Sequence, residues 1–412
     1  LLKSIFIFLL AALFLFFEMA IQVSPGIMTQ SLMDSFHIDV FWLGLMSGAY
    51  FITYTFMQVP AGLFYDKFPA KQVIMMPLLI CTIGGFLFAL APNVYLAGCA
   101  RIFMGFGSAF AFIGVLVVAS HVFPAKYFAF IAGVTQMLAA LGAMCGTLPL
   151  VPMIHAFGWR WTMFIISLFG LFLFFLILFF MKLPELRTKK VRAVGEDSIL
   201  KGLTSVIKKP QSWIIAVYAC LLWAPMAVAA SLYGAPFVGK YFGLSLSNSA
   251  TAVLLMWVGI AIGAPFFGFL SDKTQLPRFW LFVTSLLGLC AFSLIMFVDI
   301  DGFGIICILF LLAGAACAGQ ALSFSMVKNA NSENTQATAI GFNNMAVVIA
   351  GFIFQPLVGF VIERSSDNTV GVQHVYDGGD YYSGMLVVFF CYLVSTSIAL
   401  FFIKPVKILK LT

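Results

Sequence analysis

Apolar runs of about 20 residues, each long enough to cross the hydrocarbon core of a bilayer as a helix, recur along the whole chain. Twelve segments qualify, near residues 4–27, 40–64, 72–91, 94–119, 127–152, 161–181, 212–238, 249–270, 279–298, 303–327, 337–362 and 384–402. The breaks between them carry turn and charge chemistry, as in "MDSFHID", "YDKFPAK", "APN" and "SDKTQLPR". With 63% hydrophobic and only 9% charged residues, the chain cannot cover a water-soluble surface, and lipid must be its main solvent. The expected fold is therefore all-α, with twelve transmembrane helices. The first run, "LLKSIFIFLLAALFLFF", reads as the first span and not as a removable leader, because it is too long and no cleavage site followed by a soluble domain succeeds it.

Lysine and arginine set the expected orientation. A cytoplasmic N-terminus leaves only Arg160, Lys240 and Arg364 on the outer side and Arg101 inside a span, with every other basic residue facing the cytoplasm. Both termini are thus expected inside, in an inner or plasma membrane. The net charge of +7 is then topological and calls for no nucleic-acid partner. The eight cysteines stand singly in apolar segments without a CxxC pair, which suits packing residues and not disulfides or metal ligands. No cofactor is expected. In the polar segment 183–211, Ile199, Leu200, Leu203, Val206 and Ile207 share one helical face, Asp197 or Ser198 can cap it, and Pro210 ends it. A short amphipathic helix on the inner membrane surface is expected there.

The two halves say similar things at matching points. "GLFYDK" at Gly62–Lys67 returns as "GFLSDK" at Gly268–Lys273, 206 residues later in a chain of 412. At offsets of 207–208, Gly133 meets Gly341, Gln136 meets Asn344, and "PLV" at 149–151 meets "PLV" at 356–358. Two six-span units, 1–182 and 212–412, joined by the 183–211 linker, would explain this. Parallel repeats of that kind place a substrate site at the midplane between them.

With these residues in view, the chain resembles the major facilitator superfamily of secondary transporters. Gly62, Leu63, Asp66, Lys67 and Lys71 match that family's loop pattern between spans two and three, with Lys67 in place of the usual first Arg and Pro69 where Gly is usual. Gly268, Asp272 and Lys273, with Arg278, form a looser second copy. "RIFMGFGSA" from Arg101 matches the Arg-x-x-x-Gly-x-Gly pattern of span four, and "GWRW" at 158–161 is common at the start of span six. The resemblance implies a two-bundle fold with pseudo-two-fold symmetry, alternating access, and a gating role for Gly62, Asp66, Lys67, Lys71, Gly268, Asp272 and Lys273 at the cytoplasmic seam.

Deep in the spans stand one acid, Glu18, and one base, Arg101. Intramembrane charges are costly and mark functional sites. Helical rise puts them about 21 and 27 Å from the inner edge, within reach of an arginine side chain. They are expected to meet, with Glu18 carrying a coupling proton. Polar and aromatic residues expected to line a midplane cavity are Gln22, Tyr50, Tyr54, Gln58, Gln136, Tyr218, Trp223, Tyr233, Trp257, Gln320, Ser323, Asn343, Asn344 and Gln355. Each alone also fits interhelical hydrogen bonding.

The reading that follows is a monomeric, proton-coupled importer of a small polar nutrient such as an amino acid or short peptide. The alternative is proton-driven efflux of drugs or a siderophore-like metabolite, since Gly142-x-x-x-Gly146 resembles the glycine-rich span five of exporters. A membrane enzyme would need a nucleophile–base set or metal ligands in the spans, and none is legible.

Overall fold

Proline and glycine punctuate the spans, and the backbone breaks or bends near several of them. A computed structural model describes residues 2–123, 128–181, 204–332, 335–366, 369–370, 373–374 and 376–404. The order is α1 (Leu2–Val23), a 3-10 turn (Ser24–Ile27), α2 (Thr29–Phe36), α3 (Val40–Lys67), α4 (Ala70–Ala89), α5 (Val94–Ser108), α6 (Ala111–Val122), α7 (Phe128–Cys145) and α8 (Val151–Phe180). It continues with α9 (Pro210–Pro225), a π-helix (Met226–Tyr233), α10 (Gly234–Tyr241), α11 (Leu246–Thr274), α12 (Pro277–Phe297), α13 (Phe303–Cys317), α14 (Gly319–Asn329) and α15 (Gln336–Ser365). A two-strand hairpin pairing Thr369–Val370 with Gln373–His374, then α16 (Gly378–Ser397), close the order before a final π-turn.

Eleven stretches among the described residues are long and apolar enough to cross a membrane. One of them, Val134–Phe180, runs for 47 residues, about 70 Å as a helix and twice a bilayer's hydrocarbon core. It is interrupted at Leu148–Leu150, where a 3-10 turn precedes α8, and again at Gly158, whose φ of 76° only glycine adopts without strain. The "GWRW" residues have local work at this break. Trp159 donates its ring N–H to Ser35 of α2 at 2.9 Å, and Arg160 donates to the carbonyls of Ala89 and Ala91 at the end of α4. The helix α2 falls in a segment expected to be a loop.

Two spans bend at matching places. Ala109 and Phe110 separate α5 from α6, and Ala318 separates α13 from α14. Basic residues at the starts of α4 and α12 also act alike. Lys71 donates to the Leu178 carbonyl at 2.7 Å, and Arg278 to the Leu400 carbonyl at 2.7 Å. Each satisfies an orphan carbonyl at the end of a later span.

Helices of the first half of the chain meet those of the second along a seam. α3 lies against α15, and α7 against α11. The 3-10 turn after α1 lies against the π-helix. At that end the contact is backbone to backbone, because a Cβ on Gly26 would strike the Ser231 carbonyl. At the end that carries the loop motif, by contrast, a Cβ on Gly62 or Gly268 would meet nothing within 4 Å among the described residues. Of the amphipathic helix expected in the linker, residues 204–210 fall among those described, and 204–207 are helical with Val206 buried.

Candidate functional site

Glu18 is fully buried in α1, and its partner is not Arg101. The Tyr50 hydroxyl of α3 donates to Oε2 of Glu18 at 2.7 Å, while Oε1 has no hydrogen-bond partner among the described residues. Arg101, also buried, turns to the backbone of α1. Its Nη1 donates to the carbonyl of Ile21 at 3.0 Å and its Nη2 to that of Gln22 at 3.2 Å. Its guanidinium carbon lies 4.6 Å from the centre of the Tyr50 ring. The expected Glu18–Arg101 ion pair is therefore replaced by a layered arrangement in which Tyr50 touches both.

Local chemistry explains the choice. Ile21 stands four residues before Pro25, which has no N–H, so its carbonyl lacks the usual helical donor. Arg101 and the Ser24 hydroxyl, at 3.1 Å, supply donors instead. The Arg-x-x-x-Gly spacing sets the reach. Gly105 lies one turn beyond Arg101 on the same face, and a Cβ there would collide with the Tyr50 carbonyl. The glycine lets α5 lie against α3 closely enough for Arg101 to stack on Tyr50.

Tyr50 heads a row on one face of α3. Tyr54, one turn on, stacks on it with ring centres 5.7 Å apart. Gln58, one turn further, accepts a 3.0 Å hydrogen bond from the Asn344 amide of α15, across the seam. Glu18, Tyr50, Tyr54, Gln58 and Asn344 thus form a polar row leading from the buried acid toward the end where α3 stops and α15 starts.

The remaining expected residues separate. Gln22 and Gln320 are buried, Trp223 is partly buried, and Gln136 is exposed. Tyr218 donates to the Leu281 carbonyl of α12 at 2.7 Å, a tie within the second half that engages its hydroxyl. Ser323 donates to the Gln320 carbonyl at 2.6 Å and accepts from the Asn343 amide at 2.8 Å. Among the described residues Asn343 Oδ1 keeps no partner, nor do Gln355 Oε1 and the ring nitrogen of Trp257. Trp257 lies edge-on to Trp223 at 6.5 Å. Trp257 and Gln355, both expected among the residues that line the cavity, are buried.

Of the loop motif, Lys71 binds within its own half and not across the seam, and Lys273 is exposed. The side chains of Asp66, Lys67 and Asp272 lie outside those described. In α7, Cβ atoms on Gly142 and Gly146 would strike the backbone of Phe16 and Ala20, so these glycines seat α1 on either side of Glu18.

The chain is 22% identical over 351 residues to the hexuronate transporter of Bacillus subtilis, covering 81% of this chain and 82% of that protein. It is 30% identical over 127 residues to the thioclapurine efflux transporter of Claviceps purpurea, 30% of this chain and 23% of that protein. The chain thus spans under a quarter of the length of that fungal efflux relative. Among solved structures, a bacterial homologue of the human lysosomal transporter Spinster, inward-facing and unoccupied, superposes with a TM-score of 0.80 at 15% identity over 96% of each chain. The nucleoside transporter NupG superposes with a TM-score of 0.77 at 17% identity over 97% of this chain and all of that one. The sequence profile of the Major Facilitator Superfamily matches residues 8–355, and the chain belongs to that superfamily: a membrane transporter, not an enzyme, that moves a small solute by alternating access.

Proposed function

We propose that the protein exports a small, hydrogen-bonding organic solute in exchange for protons, with Glu18 as the proton-carrying group. The observation that carries the reading is the buried Glu18 carboxyl, bonded to Tyr50 through one oxygen and bare at the other, at the head of the polar row on α3. A fully charged carboxylate with a bare oxygen is costly in a dry interior, and a proton on it lowers that cost. Tyr54, Gln58 and Asn344 mark a route toward the end that holds the termini. Arg101 acts as a positioning residue that holds the bend of α1.

Export as the direction draws support from the efflux transporters of several fungi among the relatives and from Gly142 and Gly146 seating α1 around Glu18. The importer of amino acids or peptides, the first reading of the sequence, gives way on this point. A second reading, uptake of an organic anion, is favoured by the hexuronate transporter, which aligns along most of the chain. Against it, both Nη groups of Arg101, the base deep in the spans, are already engaged by carbonyls. The bare polar atoms of Asn343, Gln355 and Trp257 suit a neutral cargo better than an anion.

The architecture we propose is two six-helix bundles, 1–182 and 212–412, related by a pseudo-two-fold along the membrane normal, acting as a monomer with both termini in the cytoplasm of a cell whose plasma membrane it spans. The matching bends near Ala109 and Ala318 and the matching ties of Lys71 and Arg278 support it, as does a 47-residue segment with room for two crossings.

The direct test is a thermal-shift screen of purified protein against neutral metabolites, nucleosides and organic acids, followed by transport in proteoliposomes under an imposed pH gradient. Cargo moving opposite to protons supports export. Cargo moving with protons supports uptake, and movement indifferent to the gradient removes proton coupling.

A further inference from the structure

At the end of the seam away from the termini, one residue of the first half is held by two tyrosines of the second. Val40 opens α3. Its N–H, an orphan donor at a helix start, donates to the Tyr376 hydroxyl at 3.3 Å. Its carbonyl accepts from the Tyr233 hydroxyl at 3.0 Å. The Tyr233 oxygen also lies 3.2 Å from the Gln355 carbonyl of α15, and the Gln355 amide donates to the Ala227 carbonyl of the π-helix at 2.8 Å.

The socket for Tyr233 is made by two glycines, one from each side of the seam. A Cβ on Gly44 of α3 would strike the Tyr233 hydroxyl and the Gln355 carbonyl. A Cβ on Gly359 of α15 would fall 2.6 Å from the Val40 carbonyl and 2.8 Å from the Tyr233 hydroxyl. Tyr233 is wholly buried and Tyr376 nearly so. Burial pushes the Tyr376 phenol up to about 12, so this hydroxyl keeps its proton at ordinary pH.

We propose that Tyr233 and Tyr376 form a latch on Val40 that holds this end of the seam shut. Opening this end moves α3 away from α15 and the π-helix, and it must break both bonds to Val40 together. The latch is neutral, so it carries no desolvation cost of an ion pair and works without a counter-charge.

Hydrogen-exchange mass spectrometry on the purified protein tests this without any cargo or pH gradient, so its outcome is separate from that of the export reading. The comparison is wild type against Tyr233→Phe and Tyr233→Phe/Tyr376→Phe, which keep the rings and remove the hydroxyls. Loss of one such bond is expected to raise exchange about tenfold in segments 40–48 and 228–238 together, and loss of both to raise it further. Segment 280–292, remote from the latch, should not change. Gly359→Ala, which fills the socket by a different route, should reproduce the effect. Unchanged exchange, or faster exchange at the Val40 amide alone with 228–238 unaffected, would overturn the latch.

Discussion

The Tyr50 hydroxyl donates to Glu18, and the face of the same ring carries Arg101. One side chain therefore touches the buried acid and the buried base.

Glu18→Gln keeps an acceptor for Tyr50 and removes the titrating proton. Cargo accumulation driven by a pH gradient should disappear, while cargo exchange between equal pools continues. Proteoliposome flux at several pH values reads this. Gradient-driven accumulation with unaltered pH dependence would place the proton site elsewhere.

Tyr50→Phe removes one hydrogen bond to Glu18 and leaves the ring under Arg101. The bond to a charged carboxyl contributes about 1.5–3 kcal/mol, and one to a neutral carboxamide about 1 kcal/mol. A double-mutant cycle between Tyr50→Phe and Glu18→Gln, read by thermal unfolding, should give a clear coupling energy. Additive losses would mean that the Tyr50 bond is no stronger to Glu18 than to a neutral carboxamide.

Arg101→Ala takes one charge-assisted hydrogen bond from each of the Ile21 and Gln22 carbonyls, about 1.5–3 kcal/mol apiece, and leaves Ile21 with the Ser24 hydroxyl. Arg101→Lys is no substitute, because an ammonium cannot span two carbonyls and lie flat on a ring. Pro25→Ala returns a backbone donor to the Ile21 carbonyl, so Arg101→Ala should be less damaging in that background. Equal melting temperatures for Arg101→Ala with and without Pro25→Ala would refute the capping role.

Gly105→Ala forces a methyl into the Tyr50 carbonyl, an overpacking cost of about 1–3 kcal/mol or more. Gly62→Ala and Gly268→Ala meet open space and should leave stability in this conformation nearly unchanged. If the three substitutions lowered the melting temperature alike, the packing at Gly105 would not be what ties α5 to α3.

Orientation is checked by impermeant thiol labelling of Lys190→Cys and Val370→Cys. The two should react from opposite sides of the membrane. Labelling from one side would sink the proposed topology.

The spans were legible because a bilayer enforces one rule on every crossing, and Glu18 and Arg101 stood out because charge at depth is rare. Their partners were not legible. Helical rise gave depth, but not the direction in which each side chain leaves its helix, and so Tyr50 between them was missed. Pro25 held a usable signal, since a missing N–H leaves the Ile21 carbonyl in need of a donor. Tyr218 shared a span with Trp223, yet its hydroxyl turns to Leu281, away from the expected cavity. Tyr233 stood among the expected cavity residues, but its bond to Val40, 193 residues away, was not legible, and neither was that of Tyr376, 336 residues from Val40.

The 3-10 turn at Ser24–Ile27 and the π-helix at Met226–Tyr233 face one another. One winds tighter than an α-helix and the other wider. The π-turns fit extra residues into the same height, so the register of Tyr233 and everything beyond it is offset from that of Pro225 and everything before. Removing one residue between them would rotate the outer part of that span by about 100°, carrying Tyr233 out of its glycine socket with no change to any contacting residue. In this protein the phase of a helix is thus a heritable variable, separate from its composition, and a one-codon deletion could reset which conformation the transporter rests in.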